Sequence, residues 1–275
     1  MGFETISLRE ARRLALARAG LLKPAWTGLP ASARGGGVTA RRAAHAIIRR
    51  FGYLQLDTVS IAGARSHALV LLSRLPGMRP ALGEDLLLLG APLFEYWGHE
   101  VCWLPLELYP TLDFRRREYR VHPWWGDVLG EHSALADQIL RRIRDEGPIR
   151  SSDLCEPSSD GWWAFKAGKK VLSALWSAGD IAIQQRRGFQ RTYDLTERVI
   201  PQTVRELAEP RDASVRALLL RALAGHGWAT SGTLAATWRF RNMREELAAA
   251  LYALRDQRGI TPCALVDATG KRRMG

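Results

Sequence analysis

Cysteine is scarce in this sequence, and metal-binding motifs are missing from it. The 275 residues include three cysteines, Cys102, Cys155 and Cys263, which lie far apart. They form no CxxC motif and no pair with histidine at the spacing of metal ligands. An odd number of scattered cysteines predicts reduced thiols in a cytoplasmic protein and argues against a disulfide framework or a zinc site.

The sequence also lacks a long apolar run. The longest one, around residues 86–89, is far too short to cross a bilayer. Near the N-terminus, Arg9, Arg12 and Arg13 interrupt the first apolar stretch, so no secretory signal is visible. We therefore expect a soluble protein that has no membrane partner.

Acidic residues are in the minority. The sequence has 28 Asp and Glu against 40 Lys and Arg, which gives a net charge of +12. Such an excess attracts phosphate groups or an anionic membrane surface. The alternative is a basic surface that only keeps the protein soluble.

Apolar residues at helical spacing organise the first part of the chain. Ser7 and Glu10 have the spacing of a capping box, which predicts a helix from there to about Arg18. A second helix carries apolar residues over 43–51 and ends at Gly52. Residues 53–59 then alternate between apolar and polar, which predicts a short strand or extended loop, and a third helix follows over about 64–75.

The order of the elements is clearer from residue 134 onward. An apolar helix, a short helical segment near 151–154 and a helix that ends at Gly179 precede two alternating strands, 180–184 and 189–195. The same order recurs after Pro210, with three helices and the start of a hairpin at 260–266. Three helices followed by a basic hairpin are typical of a winged helix.

We therefore predict a mainly α fold with small β wings, built from tandem winged-helix (helix-turn-helix) domains. The N-terminal unit spans residues 1–130 and contains the extended segment. The second unit spans 131–205. The third spans 206–275 and is expected to be truncated at its wing.

Basic residues occupy the positions at which winged helices meet DNA. The helix of the second unit that would lie in the major groove carries Lys166, Lys169 and Lys170, and the wing of that unit carries Arg186, Arg187 and Arg191. The start of the corresponding helix in the third unit carries Arg239 and Arg241. Contacts of this kind reach phosphates, so they supply affinity and salt dependence. The alternative is a winged helix that binds another protein.

Two polar side chains in the extended segment suggest a reactive site. Gln55 and Asp57 are two residues apart and point to the same side, whereas Leu54 and Leu56 face the core. A carboxylate beside an amide suits hydrolysis of an N-glycosidic bond. Asp57 would stabilise a positive sugar or activate water, and Gln55 would orient that water. The spacing is common by chance, so the alternative is a solvated strand face.

Three residues in the third predicted helix of the N-terminal unit or just before it are candidates for DNA contact. Arg65 and Arg74 flank His67, and either arginine can reach a phosphate. His67 lies on the apolar stripe of the helix, so its alternative role is packing in the core.

Five separated stretches carry a resemblance to a known family, and they follow one another in the order that the family has. They are Ala11–Leu16, Tyr53–Val59, Ala64–Leu69, Leu93–His99 and Gly188–Val199. The second reads Tyr-Leu-Gln-Leu-Asp-Thr-Val. In these stretches the sequence resembles the bacterial winged-helix DNA glycosylases of the AlkZ and YcaQ family. Residues 213–270 agree with that family in residue type more than in motif.

The resemblance implies a fold, an activity and a site. The fold is three tandem winged helices followed by a C-terminal β-barrel, and because this sequence ends at Gly275 we expect the barrel to be absent. The activity is hydrolysis of the N-glycosidic bond of N7-alkylated purines in double-stranded DNA, together with unhooking of interstrand crosslinks. It needs no metal or organic cofactor. The catalytic motif is glutamine, an apolar residue, then glutamine or aspartate, which here reads Gln55-Leu56-Asp57 as in YcaQ-like members.

Two functions follow as hypotheses. The first is a monomeric, monofunctional DNA glycosylase of base excision repair, located in the cytoplasm and on the nucleoid when it is bound to DNA. The second is a winged-helix DNA-binding protein or transcription factor without chemistry. Replacement of Asp57 by Asn separates them, because only the enzyme has an activity to lose.

Overall fold

The structure, a computed structural model, describes residues 4–61, 63–154 and 161–275, and for residues 60, 61 and 161–165 it describes the backbone alone. The chain divides into two compact units. Unit 1 comprises Met1–Gly83, Gly98–Pro105 and Glu209–Gly275, and unit 2 comprises Glu84–Trp97 and Leu106–Ala208. Helices predominate and the sheets are small, which agrees with the predicted mainly α fold. Cys155 lies outside the described residues.

Unit 1 is built around the helix that precedes the extended segment. Its helices are α1 (Leu8–Arg18), α2 (Pro24–Thr27), α3 (Val38–Phe51), α4 (Ser66–Leu72), α11 (Arg211–His226), α12 (Ser231–Thr237) and α13 (Arg244–Asp256). Its strands are β1 (Glu4–Ser7), β2 (Leu54–Gln55), β3 (Ser60–Ile61), β4 (Ala64–Arg65), β6 (Val101–Pro105), β10 (Cys263–Val266) and β11 (Arg272–Met274). Ile47 and Ile48 of α3 are fully buried, and α11 packs against α1, α3 and α13.

Unit 2 is built around a long helix and a three-stranded sheet. Its helices are α5 (Asp113–Glu118), α6 (Val128–Glu131), α7 (Ser133–Glu146), α8 (Gly161–Ala178), α9 (Thr196–Val199) and α10 (Gln202–Arg205). Its strands are β5 (Leu93–Trp97), β7 (Ile149–Arg150), β8 (Ile181–Arg187) and β9 (Gln190–Leu195). Leu172 and Trp176 of α8 are buried together with Ile139 and Ile143 of α7, and the two helices pack against each other.

Local sequence signals account for several helix ends. Ser7 and Glu10 form the predicted capping box, in which each side chain hydrogen-bonds the other residue's backbone N–H at the start of α1. Gly52 ends α3 in the left-handed conformation, with φ of 86°. The predicted helical segment near residues 151–154 is a 3-10 helix, Ser151–Leu154. The predicted helix over 64–75 is shorter in the structure, because β4 occupies Ala64–Arg65 and α4 ends at Leu72.

The sheets contain pairings that the sequence did not predict. In unit 1, β1 runs parallel to β10, and β10 pairs with β11 to close an antiparallel hairpin. In unit 2, the sheet order is β7-β9-β8, with β8 and β9 joined as the predicted hairpin. No helix in the described part of the chain is long and apolar enough to cross a membrane.

Gly83 allows a short 3-10 helix, Pro80–Glu84, to approach α4 closely. A Cβ at Gly83 would lie 2.6 Å from the Cβ of Ala68 and 3.0 Å from its Cα. We expect Gly83→Ala to lower the free energy of unfolding by about 1–3 kcal/mol, because the backbones must separate.

Gly36→Ala is the matched control, since a Cβ there meets no atom within 4 Å. It should change the free energy of unfolding by less than about 0.5 kcal/mol. Urea titration of the two variants measures both values. Equal losses would show that the contact between Gly83 and α4 carries no packing constraint.

Candidate functional site

The segment that contains Gln55 and Asp57 lies along one strand of unit 1. Strand β2 pairs antiparallel with β6, and the register places Leu54 opposite Trp103 and Gln55 opposite Cys102. The N–H of Leu56 donates to the carbonyl of Val101 at 2.8 Å, so the pairing continues one residue beyond β2. The backbone of the Gln-Leu-Asp motif is therefore fixed by hydrogen bonds to β6.

The side chains of this segment alternate as the sequence predicted. Leu54 and Leu56 are buried, Gln55 is exposed and Asp57 is half-buried. Side chains two residues apart on an extended chain share a face. The amide of Gln55 and the carboxylate of Asp57 thus project from the face of the segment opposite to the two leucines.

Asp57 uses one of its oxygens to end the extended segment. Its Oδ1 accepts a hydrogen bond from the N–H of Val59 at 2.9 Å, which is the geometry of an Asx turn. Among the described residues, none hydrogen-bonds Oδ2 of Asp57 or the side-chain amide of Gln55. An amide and a carboxylate oxygen are thus available to a ligand from the same stretch of chain.

Two aromatic rings form the buried support of the segment. Trp103, which lies opposite Leu54, is fully buried, and its ring meets that of His67 edge-on at 5.6 Å between centroids. His67 is 1% exposed. A side chain at this depth packs in the core and does not reach a phosphate.

The two arginines near His67 differ in their surroundings. Arg65 is half-buried at the start of α4. Arg74 donates to the carbonyl of Ala19 at 2.9 Å and lies 5.4 Å from the ring of Phe51, and burial lowers the pKa of its guanidinium. Arg74 therefore connects the end of α1 to the residues after α4, and the contact of Arg65 with a phosphate stays a prediction.

Two of the arginines assigned to the wing of the second unit bind a buried carboxylate of unit 2 instead. Arg186 forms a bidentate pair with Glu95, with Nε to Oε2 at 2.6 Å, and Nε of Arg191 lies 2.7 Å from Oε1. Burial alone raises the pKa of Glu95, but Arg191 and Arg186 outweigh it and hold that pKa below its ordinary value.

The sequence analysis did not predict a buried ion pair at Glu95. All five residues of β5 are buried, and Glu95 is the one charged member of that strand. An acidic residue within an apolar, aromatic strand signals a buried ion pair, because an unpaired carboxylate is very costly there. That signal was present in the Leu93–Trp97 stretch.

Most of the other predicted DNA contacts lie at exposed positions, whereas Arg239 is half-buried. Lys166, Lys169 and Lys170 are exposed on α8, and Arg187 is exposed beside the turn between β8 and β9. In unit 1, Arg241 is exposed. Arg239 instead forms an ion pair with Glu100 at 2.6 Å.

The positive charge of the protein is concentrated in unit 1. That unit contains 24 Lys and Arg against 10 Asp and Glu, whereas unit 2 contains 16 against 18. The unit that carries Gln55 and Asp57 is therefore the one that attracts a polyanion. Within the described ranges, no cluster of His, Cys, Asp and Glu is arranged to hold a metal ion.

Comparison with known proteins bears on the family and the fold of this chain. A model of the AlkZ-like DNA glycosylase family matches residues 48–274, a range that begins just before the Gln-Leu-Asp motif. This chain belongs to the AlkZ-like DNA glycosylase family. The fold is also similar to that of the DNA glycosylase AlkZ of Streptomyces sahachiroi, with a TM-score of 0.64 at 13% sequence identity. The alignment covers 98% of this chain and 70% of that one.

Membership of the AlkZ-like family indicates a DNA glycosylase whose substrate is DNA. The matched residues take in both the motif of unit 1 and all of unit 2. The likeness to AlkZ, at 13% identity, speaks for the fold alone.

The buried cluster of Glu95, Arg186 and Arg191 should be costly to break. In Glu95→Gln two arginines lose their counter-charge, and we expect the free energy of unfolding at pH 7 to fall by about 3–5 kcal/mol. Because the folded pKa of Glu95 lies below its unfolded value, its contribution is present at neutral pH and is lost as the pH falls below about 4. The variant should therefore lose less stability than the parent over that acidic range.

Glu146→Gln makes the same chemical change in an exposed pair with Arg142 on α7. It should cost less than about 1 kcal/mol. Urea titrations of the parent and both variants, at pH 7 and near pH 3.5, measure these differences. A cost at pH 7 that is the same for the two variants would contradict the assignment of Glu95 as a buried, paired charge.

Proposed function

We propose that this protein hydrolyses the N-glycosidic bond of N7-alkylated purines in double-stranded DNA, with Gln55 and Asp57 at the reacting sugar. One observation carries the proposal. In a member of a DNA glycosylase family, the exposed amide of Gln55 and a carboxylate oxygen of Asp57 leave the same side of a strand and make no hydrogen bond with described residues.

The proposed chemistry divides the work between substrate and protein. A purine alkylated at N7 is already cationic, so the C1′–N9 bond breaks with its electron pair going to the base, and no strong general acid is needed. The sugar becomes a cation at C1′, which the negative charge of Asp57 stabilises. Water then adds to C1′ and loses a proton, with Asp57 as the acceptor and Gln55 holding the water. The products are the free base and an abasic site, as for a monofunctional enzyme.

Exposure of Gln55 bears on the size of the lesion. Many enzymes that act on bases draw the target nucleotide into an enclosed pocket, which a base linked to the opposite strand cannot enter. The side chain of Gln55 is exposed, so a bulky or crosslinked purine has room to approach it. This supports unhooking of interstrand crosslinks as part of the proposed activity.

Strand order supports the proposed winged helix of residues 131–205. Elements α7, β7, the 3-10 helix at Ser151–Leu154, α8, β8 and β9 follow one another, and β9 lies between β7 and β8 in the sheet. We propose that α8 is the recognition helix of this unit, with Lys166, Lys169 and Lys170 on its exposed side. We propose that they and Arg187 contact phosphates.

The proposed third winged helix, residues 206–275, has α11, α12 and α13 followed by the hairpin of β10 and β11. In this unit the helices precede the hairpin, as they do in the proposed second winged helix. We propose that residues 1–130 form the first winged helix and contribute the catalytic segment. Arg65 and Arg241 join the proposed phosphate contacts of unit 1.

Base release from DNA that contains N7-methylguanine tests the role of Asp57. We expect Asp57→Asn to slow release at least about 100-fold, because the amide keeps an oxygen for the Asx turn but has no charge to stabilise the sugar cation. Alkali-induced strand cleavage of a labelled oligonucleotide measures the abasic product.

Asp267→Asn is the matched control. Asp267 also makes an Asx turn, in which its Oδ1 accepts from the N–H of Thr269 at 2.9 Å, and the variant loses one negative charge as Asp57→Asn does. Its rate should equal that of the parent. Salt-sensitive DNA binding without base release by the parent would instead indicate a winged-helix binding protein without chemistry.

Salt dependence of DNA affinity tests the role of α8. In the double variant Lys166→Gln, Lys170→Gln, the slope of log K against log salt should fall in magnitude by about 2, since each phosphate contact contributes about 0.9. The control is Arg141→Gln on α7, where an exposed arginine forms no ion pair with described residues. A double variant whose slope matches that of the control would exclude α8 from the interface.

A further inference from the structure

We propose that Tyr53 and Arg239 are positioning residues, which set the direction of the Gln55 and Asp57 side chains by fixing β2 and β6 to the end of α12. This rests on the proposed function. We call the set of Tyr53, His99, Glu100 and Arg239, together with the carbonyls of Ala236 and Thr237 that they meet, the strand clamp. All of its members belong to unit 1.

Tyr53 connects β2 to the end of α12. It immediately precedes Leu54, and its hydroxyl donates to the carbonyl of Thr237 at 3.0 Å. Its ring meets Trp238 edge-on at 5.2 Å. Trp238 is itself fully buried and donates its ring N–H to the carbonyl of Leu218 on α11. The residue two places before Gln55 is thus held by a hydrogen bond and by a ring that cannot move freely.

The turn before β6 makes the second connection. The Nδ1–H of His99 donates to the carbonyl of Ala236 at 2.9 Å, and Arg239 donates to the carbonyl of His99 at 3.0 Å. The same guanidinium pairs with Glu100 at 2.6 Å. Since β6 supplies Cys102 opposite Gln55, both strands that hold the motif are attached to one short stretch of chain, Ala236 to Arg239.

The backbone of Arg239 is fixed at the end of α12. Arg239 has a φ of 55°, in the left-handed region that residues with a Cβ disfavour. Backbone hydrogen bonds typical of a helix end accompany this conformation: the N–H of Arg239 donates to the carbonyl of Ala236 at 3.0 Å, and the N–H of Phe240 donates to that of Ala235 at 3.0 Å. From this fixed position, the contacts of the guanidinium with His99 and Glu100 direct the side chain to the turn.

Small displacements of the motif are expected to be costly. A misplacement of reacting groups by about 1 Å can slow an enzyme about 100-fold even when binding is intact. Tyr53 immediately precedes β2, so a shift of Tyr53 would displace the Gln-Leu-Asp motif. Loss of the clamp should therefore lower the rate of bond cleavage more than it lowers DNA affinity.

The experiment measures the single-turnover rate of base release from an N7-methylguanine duplex at saturating protein, beside the Kd for the same duplex. Tyr53→Phe removes one oxygen and leaves the ring against Trp238. We expect it to slow release about 3- to 10-fold with an unchanged Kd. Arg239→Ala should slow release about 10- to 100-fold.

Arg258→Ala is the matched control for Arg239→Ala. Arg258 also has a positive φ, 58°, is exposed and forms no ion pair with described residues. Both variants lose one positive charge, so their Kd values should agree within about twofold, while only Arg239→Ala loses rate. The exchange variant Arg239→Glu, Glu100→Arg, which restores the ion pair, should recover part of that rate.

The outcomes separate the two proposals. If the parent releases no base, the proposed function fails and the positioning role fails with it. If the parent and Arg258→Ala release base and both Tyr53→Phe and Arg239→Ala do so as fast, the positioning role is overturned and the function stands. A rate loss in Arg239→Ala that follows its Kd, or its folded fraction measured by circular dichroism, also overturns the positioning role.

Discussion

The antiparallel pairing of β2 with β6 is the constraint on which the site depends. It fixes the backbone of a segment only a few residues long, and its register decides that Leu54 and Leu56 enter the core. A slip of one residue would turn Gln55 inward and expose the leucines. The burial of these two leucines, one of them opposite Trp103, therefore stabilises the outward direction of the two polar side chains. The packing of the leucines on one face of the segment therefore sets the orientation of the candidate catalytic groups on the other face.

Features specified by neighbouring residues could be predicted from the sequence. The capping box of Ser7 and Glu10 and the end of α3 at Gly52 are local, and the alternation of residues 54–57 already showed which side chains would leave the core. The pairing of β1 with β10 could not be predicted, because it joins residues almost a whole chain apart with no periodic signal.

The same distinction applies to the charged residues. Lys169, Lys170 and Arg187, which we predict to contact DNA, are exposed. Arg186 and Arg191 have the same local appearance in the sequence, but their partner Glu95 lies more than ninety residues away. A basic hairpin shows where positive charge is placed. It does not show which arginines are free to meet a phosphate and which are needed to neutralise a buried carboxylate.

The uneven distribution of charge between the units has a consequence for the encounter with DNA. A duplex attracts unit 1, with its excess of 14 positive charges, more strongly than unit 2, where acidic residues exceed basic ones by two and the proposed phosphate contacts are local. Diffusional approach should therefore be steered, with the unit that carries Gln55 arriving first. At physiological salt this steering acts over about 8 Å, so orientation is selected in the last moments before contact. Search along undamaged DNA would then keep unit 1, and the proposed site within it, close to the duplex throughout.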